Sequence, residues 1–299
     1  MKPKHQGGYT TLHTTLCERT LVTLLRGLGP WKQGIYVTGG LVPRYLIPVV
    51  PDAAQPPPHI GTTDVDLVLN FAVLAEVEAY RRLEQNLKTL GFVRGQNDEG
   101  APQHFSWRKP VGEGVTIVVD LLCDAPLEAG GRVKPITGEK RLSALGIPGA
   151  YLVTEDFIEV ELTEELLDER GIATETIRVA NIVPFLALKA LAYDDRLEEK
   201  DAYDLVYCLT HYATGPEGIA EAYAASLVRL PGDPFLVRAL EILRSRFVTD
   251  EKTEGYKKDG PVSYARFLAD PGRAGLNVVN QRNAAAVVEA FLGALTQNP

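Results

Sequence analysis

Strand-like apolar runs, mixed with helical stretches, give way to helical spacing alone after about Ala180, and that change limits the fold more than any other feature of the sequence. Up to about Ala180 the apolar residues come in short runs, many of them β-branched and broken by glycine and proline. From Asn181 onward they recur every three or four positions, the spacing of one helix face. The first part predicts strands at 34–38, 65–69, 104–108 and 115–122, the last two joined across Gly112-Glu113-Gly114 as a hairpin. It also predicts helices over 11–28, 41–46 and 75–90, the first stopped by Gly29-Pro30 and the third by Gly91. The second part predicts helices over 181–192, 201–211, 218–230, 235–247 and 284–295. The expected architecture is therefore α/β (α+β): a mixed-sheet domain over residues 1–180 followed by a helical C-terminal domain over 181–299.

Between these elements, residues 48–58 hold five prolines in eleven positions and read as a loop. Residues 155–169 hold eight acids and no base, with alternation over 157–162 that suits an exposed strand on a solvated surface. At 299 residues, 45% hydrophobic and 23% charged, the chain is long enough to bury a core without disulfides or a metal staple. Cys17, Cys123 and Cys208 have no ligand or disulfide spacing and read as reduced core residues. There is no eighteen-residue apolar run and no signal-like N-terminus, so the expectation is a cytoplasmic protein without a membrane partner.

A formal charge of −8 opposes nucleic-acid binding by the surface as a whole, so a polyanion would need a local basic patch. Two segments offer one. Arg132, Lys134, Lys140 and Arg141 with Glu139 sum to a local +3, and Arg108-Lys109 adjoin Trp107, a stacking surface. Taken alone, either segment is more readily read as scattered surface charge.

Asp64 and Asp66 are two apart at the start of a strand, so both carboxylates leave the same face. Two carboxylates about 4 Å apart repel by roughly 4 kcal/mol at an effective dielectric of 20, which calls for a proton or a hard cation such as magnesium. Asp120 ends the apolar, β-branched strand that starts at Val115, and it completes a three-acid cluster if its strand lies beside that of Asp64. Gly39-Gly40 stands where a strand meets a helix; it is either a tight turn needing positive φ or a phosphate cradle. Lys189 is the only charged residue in 182–192, so it snorkels to water, meets a structural carboxylate, or meets a ligand phosphate. Asp201 and Asp204 share a helix face with Cys208, and two acids in a first helical turn are also explained by the helix dipole alone. His104 has aromatic neighbours and reads as structural, while His5, His13, His59 and His211 form no ligand spacing. No nucleophile elbow, Walker loop or dinucleotide fingerprint is present.

In order, Val37-Thr38-Gly39-Gly40, Thr62-Thr63-Asp64-Val65-Asp66-Leu67, Val119-Asp120, and Leu188-Lys189-Ala190-Leu191 through Lys200-Asp201-Ala202-Tyr203-Asp204-Leu205 resemble the four-motif layout of the AbiEii/AbiGii nucleotidyltransferases. That family belongs to the DNA polymerase β-like nucleotidyltransferase superfamily and includes MenT-type toxins that modify tRNA. The resemblance covers residues 34–209, about 60% of the chain. It implies that Gly39, Gly40 and Thr63 hold the nucleotide, that Asp64, Asp66 and Asp120 bind Mg2+ or Mn2+, that Lys189 contacts the triphosphate, and that Asp201 and Asp204 complete the last motif. The implied activity is transfer of NMP from an NTP to an acceptor hydroxyl, the tRNA 3′ end first among candidates, by a toxin or abortive-infection effector with a cognate antitoxin as a further partner. Two features depart from the pattern: Gly39-Gly40 replaces the Gly-Ser of many superfamily members, and the interval to Asp64 is long. A small hydroxyl compound of the aminoglycoside kind is the alternative acceptor, and a non-catalytic nucleotide-binding module is the alternative class.

Overall fold

The computed structural model describes residues 5–47, 57–70, 77–96, 100–111, 115–126, 131, 133–135, 143–269 and 277–297. The chain divides into two compact units. A sheet unit takes Thr10–Val42 and Gly61–Asn181; a helical unit takes Met1–Tyr9, Pro43–Ile60 and Ile182–Pro299. The short stretches 1–9 and 43–60 thus cluster with the helices although they precede the sheet's last strands.

The sheet unit begins with α1 (Thr11–Leu28), whose N-cap Thr10 and His13 form a reciprocal capping box and whose C-cap is Gly29. Strand β1 (Ile35–Thr38) leads through a single 3-10 turn at Gly39–Leu41 into the five-residue α2 (Val42–Leu46). Then come β2 (Asp64–Leu69), α3 (Val77–Thr89), β3 (Val93–Gln96), β4 (Pro102–Pro110), β5 (Thr116–Ala125), β6 (Val133–Pro135) and β7 (Ser143–Pro148). A one-turn α4 (Leu152–Glu155) precedes the hairpin of β8 (Phe157–Glu165) and β9 (Ile172–Ala180). The strands form one mixed sheet in the order β3-β4-β5-β2-β1-β9-β8, with β7 joined to the far half of β5 and β6 to β7. The fold is therefore mixed α and β. The short strands β3, β6 and β7, and β9 with its nine residues, add to what the apolar runs predict.

Strand pleating sorts the sheet's residues into two faces. Helix α1 packs on the face carrying Val37, Leu67, Leu121 and Val179, all almost fully buried. On that side Glu175 of β9 is buried too, and it is neutralised by Lys32 at 2.5 Å and Arg26 at 3.3 Å. The acidic run of 155–169 lies partly on β8, the sheet's edge, with Glu159, Glu161 and Glu165 exposed, a charge pattern that discourages another strand from pairing there.

The helical unit contains α5 (Ile182–Arg196), α6 (Glu199–His211), α7 (Gly215–Arg229), α8 (Pro234–Phe247), α9 (Asp259–Phe267) and α10 (Asn277–Gln297). Tyr193, Tyr223, Phe247, Phe267 and Phe291 fill its core. The two tyrosine hydroxyls are satisfied inside it, Tyr193 with Ser263 at 3.0 Å and Tyr223 donating to the Leu236 carbonyl at 2.9 Å. Helix α9 escapes the sequence pattern because small residues do its packing: Gly260 lies flat under the Phe247 ring, where a Cβ would overlap. No helix among the described residues is long and apolar enough to cross a membrane.

Candidate functional site

Strands β2 and β5 are parallel neighbours, and their register sets Asp66 directly opposite Asp120 and Asp64 opposite Val118. Neighbouring strands run about 4.8 Å apart, so the Asp66 and Asp120 side chains rise side by side. Asp64, two residues before Asp66, leaves from the same face, which is the face turned away from α1. Ser106 on β4 stands opposite Asp120, and Thr38 on β1 stands opposite Asp66. The strand start is fixed locally: Thr62 Oγ1 accepts from the Asp64 amide at 3.1 Å, and Thr63 Oγ1 donates to Asp64 Oδ1 at 3.2 Å.

Gly39 follows Thr38 with φ of +72°, and a Cβ there would overlap the Asp66 carboxylate. Two independent constraints thus demand glycine at this position, left-handed backbone and close approach to an acid. Gly40 has no positive φ and is buried. The helix that follows has only five residues and so brings a short dipole to the turn.

In the helical unit, Lys189 does not reach for water. Its ammonium lies 2.8 Å from Asp201 Oδ1 and 2.7 Å from Asp204 Oδ2. Arg196 grips Asp201 with two parallel bonds, at 2.7 and 2.9 Å, and Lys200 donates to both oxygens of Asp204 at 2.9 and 3.1 Å. The remaining partner of Asp204 Oδ1 is His59 Nε2 at 2.9 Å. Asp201 and Asp204 are therefore not the solvated first turn that a dipole argument gives; they are buried, Asp204 completely. Three cations meet two carboxylates; Lys189 is buried with both acids, whereas the Arg196 side chain is about half exposed.

The charge states follow from this packing. Burial pushes the Lys189 ammonium toward neutrality, but Asp201 and Asp204 outweigh it and hold Lys189 protonated, above its usual range. Burial pushes Asp201 and Asp204 up, and the neighbouring cations reverse the shift: Asp201 is lowered, and Asp204 is well below the usual carboxylate range. Lys200, sharing Asp204 with Lys189, is lowered by burial. Burial likewise lowers His59 to about 4 despite its bond to Asp204, so the ring is neutral and Nε2 carries the donated proton.

His59 is the functional-network residue that sequence reasoning passes over. It has no ligand spacing and sits after the proline loop, yet it is clamped between Tyr203 and Tyr207, with ring centroids at 5.2 and 4.9 Å. The Tyr207 hydroxyl also donates to the Pro57 carbonyl at 3.0 Å, and the Ile60 amide donates to Tyr203 Oη at 3.2 Å, so residues 57–60 form a strap on α6. His104, by contrast, is exposed and pairs with Arg94 at 2.8 Å.

No family model, curated protein or solved structure matches the chain. The resemblance to nucleotidyltransferases therefore rests on the sequence motifs alone. Asp64, Asp66, Asp120, Thr63, Gly39 and Gly40 all belong to the sheet unit, and Lys189, Asp201 and Asp204 all belong to the helical unit. Among the described residues no three or more His, Cys, Asp or Glu side chains form a ready metal cage. All three cysteines are free and buried. Trp107 is not the expected stacking surface: it is buried beneath the Arg94 guanidinium, 4.8 Å from the ring centroid, while Lys109 pairs with Asp168 at 3.1 Å. Arg132, Lys140 and Arg141 lie outside the described residues, as does most of the proline loop, and of Lys134 only the backbone in β6 is described.

Proposed function

We propose that the chain is a divalent-metal-dependent nucleotidyltransferase with a polymerase β-like catalytic sheet. It transfers NMP from an NTP to an acceptor hydroxyl, with the tRNA 3′ end as the acceptor and growth inhibition as the outcome. The observation that carries this reading is the register of β2 and β5, which aligns Asp66 with Asp120 on the face that also bears Asp64. Like charges opposite each other on a sheet are destabilising, and hard oxygen donors so arranged suit Mg2+ or Mn2+. Asp64, Asp66 and Asp120 would hold it, and when bound it supplies charge neutralisation at the phosphates and a more acidic acceptor hydroxyl.

The chain's own residues have definable parts in this reading. Thr63 holds Asp64 in one rotamer through its hydroxyl. Gly39 lets its backbone lie directly against the Asp66 carboxylate, which fills the space that a side chain would take and is held beside the turn. In the helical unit Asp201 and Asp204 keep Lys189 charged, and they use two of its three donors, so one remains for a phosphate oxygen. A fixed ammonium is the kind of group that stabilises phosphate charge developing only in a transition state. The test is incubation of the protein with each α-labelled NTP, Mg2+ or Mn2+, and total tRNA, read on a gel. Label should pass to RNA and disappear with Asp66→Asn or Lys189→Ala; undiminished transfer by either variant refutes the reading.

A further inference from the structure

We propose that the helical unit binds a planar, uncharged heterocycle of the nucleobase class in a cavity of about 420 Å³ formed by α6, α9 and the 57–60 strap. The volume falls within the range of small-molecule sites, roughly 300–1,000 Å³. Among the described residues the wall is largely aromatic and apolar, without acid, lysine or arginine: Tyr207 and His211 come from α6, Tyr264 from α9, Pro57 and Pro58 from the strap, and Gln6 from the N-terminal stretch. Ring faces favour a π-system.

The rings are already held in place. Tyr207 is fixed by its bond to the Pro57 carbonyl and packs 4.8 Å from His211, while Tyr264 lies nearly parallel to Tyr203, 11° apart at 6.3 Å. Rings ordered before binding lose little freedom on binding. The polar atoms of the wall suit a base edge: the side chains of His211 and Gln6 make no hydrogen bond to another described residue, while Tyr264 contributes its ring face. Burial lowers His211, which keeps the imidazole neutral, with one donor and one acceptor nitrogen. The wall shares no residue with the three-acid face and meets the Lys189 network only where Tyr203 and Tyr207 pack on His59, so loss of nucleoside binding and loss of NMP transfer are separate outcomes.

Saturation-transfer NMR and calorimetry of the full chain, with adenosine, guanosine, cytidine and uridine and no added metal, test it. At least one nucleoside should bind saturably. Its affinity should fall roughly 5- to 150-fold in Tyr264→Ala, the range of base–aromatic stacking, and stay within about twofold in Tyr264→Phe. Tyr264→Leu, which keeps the apolar bulk without the π face, serves if the alanine variant unfolds. A parallel arm with unstructured tetranucleotides identifies the source: tighter binding lost in the same variants means a base presented on RNA, and equal affinity means a free nucleoside. No saturable binding by any of these probes, or binding that Tyr264→Ala and Tyr264→Leu leave unchanged, overturns the proposal.

Discussion

His59 makes the folded chain sensitive to mild acid, and the size of the effect follows from its surroundings. Its imidazole titrates near 6.5 when free and near 4 in the folded protein, where burial holds it neutral. Between those two values the unfolded chain binds a proton that the folded chain does not. Stability therefore falls as pH drops below 6.5, and the loss is complete once pH passes below 4. A difference of about 2.5 units corresponds to roughly 3 kcal/mol in full, and about 2.5 kcal/mol of that is lost by pH 4.5. The carboxyls of Asp201 and Asp204, both lowered in the fold, act in the same direction, but only as pH falls below their unfolded value of 3.8, so pH 4.5 isolates the imidazole from them. The assay is urea unfolding at pH 7.5 and 4.5 for the native chain and for His59→Gln, whose amide can still donate to Asp204 but does not titrate. His211, also lowered by burial, is common to both proteins and cancels in the comparison. The native chain should lose about 2 to 3 kcal/mol more than the variant between the two pH values. Equal losses would show that His59 is protonated in the fold and that the strap is not held as described.

Gly39→Ala should lower stability by about 1–2 kcal/mol from the left-handed backbone alone, and should weaken Mn2+ binding by pushing the Asp66 carboxylate aside; a variant with native melting temperature and metal affinity contradicts the packing at that turn. Asp204→Asn removes the charge shared by Lys189 and Lys200 in a fully buried position and should cost about 3–5 kcal/mol in urea unfolding, whereas Lys200→Met should cost clearly less because Asp204 keeps Lys189 and His59. If the two variants unfold at the same urea concentration, the carboxylate is not the hub of that network.

The sheet-unit half of the candidate site was legible because its information is local. Asp64 and Asp66 declare a common face through period-2 alternation, and Asp120 declares itself as an acid within an apolar run, although it sits in the middle of β5 and not at the strand end that the apolar pattern predicts; the adjacency of β2 and β5 had to come from the fold. Helix α1 was legible for the same reason, with breakers at its end and apolar residues at helical spacing. The Lys189 network was half legible. A lone lysine on an apolar helix signals a buried charge, but nothing near it in sequence says which acids it meets. His59 was not legible at all, since its partner Asp204 lies 145 positions away and neither periodicity nor spacing links them. The pairing of Trp107 with Arg108 as one surface failed because adjacent residues on a strand point to opposite faces: Trp107 is buried while Arg108 is exposed.

The way the helical unit is gathered from three separate stretches of chain has a consequence for biosynthesis. Its strap, residues 57–60, leaves the ribosome well before the α6 helix to which bonds from His59 and Ile60 attach it. Until that helix emerges, the histidine stays wet and titrates like any free imidazole, and the mixed sheet must close around two loose ends. No single cut separates the units cleanly: a fragment starting at Ile182 would carry Asp204 without the ring that caps it.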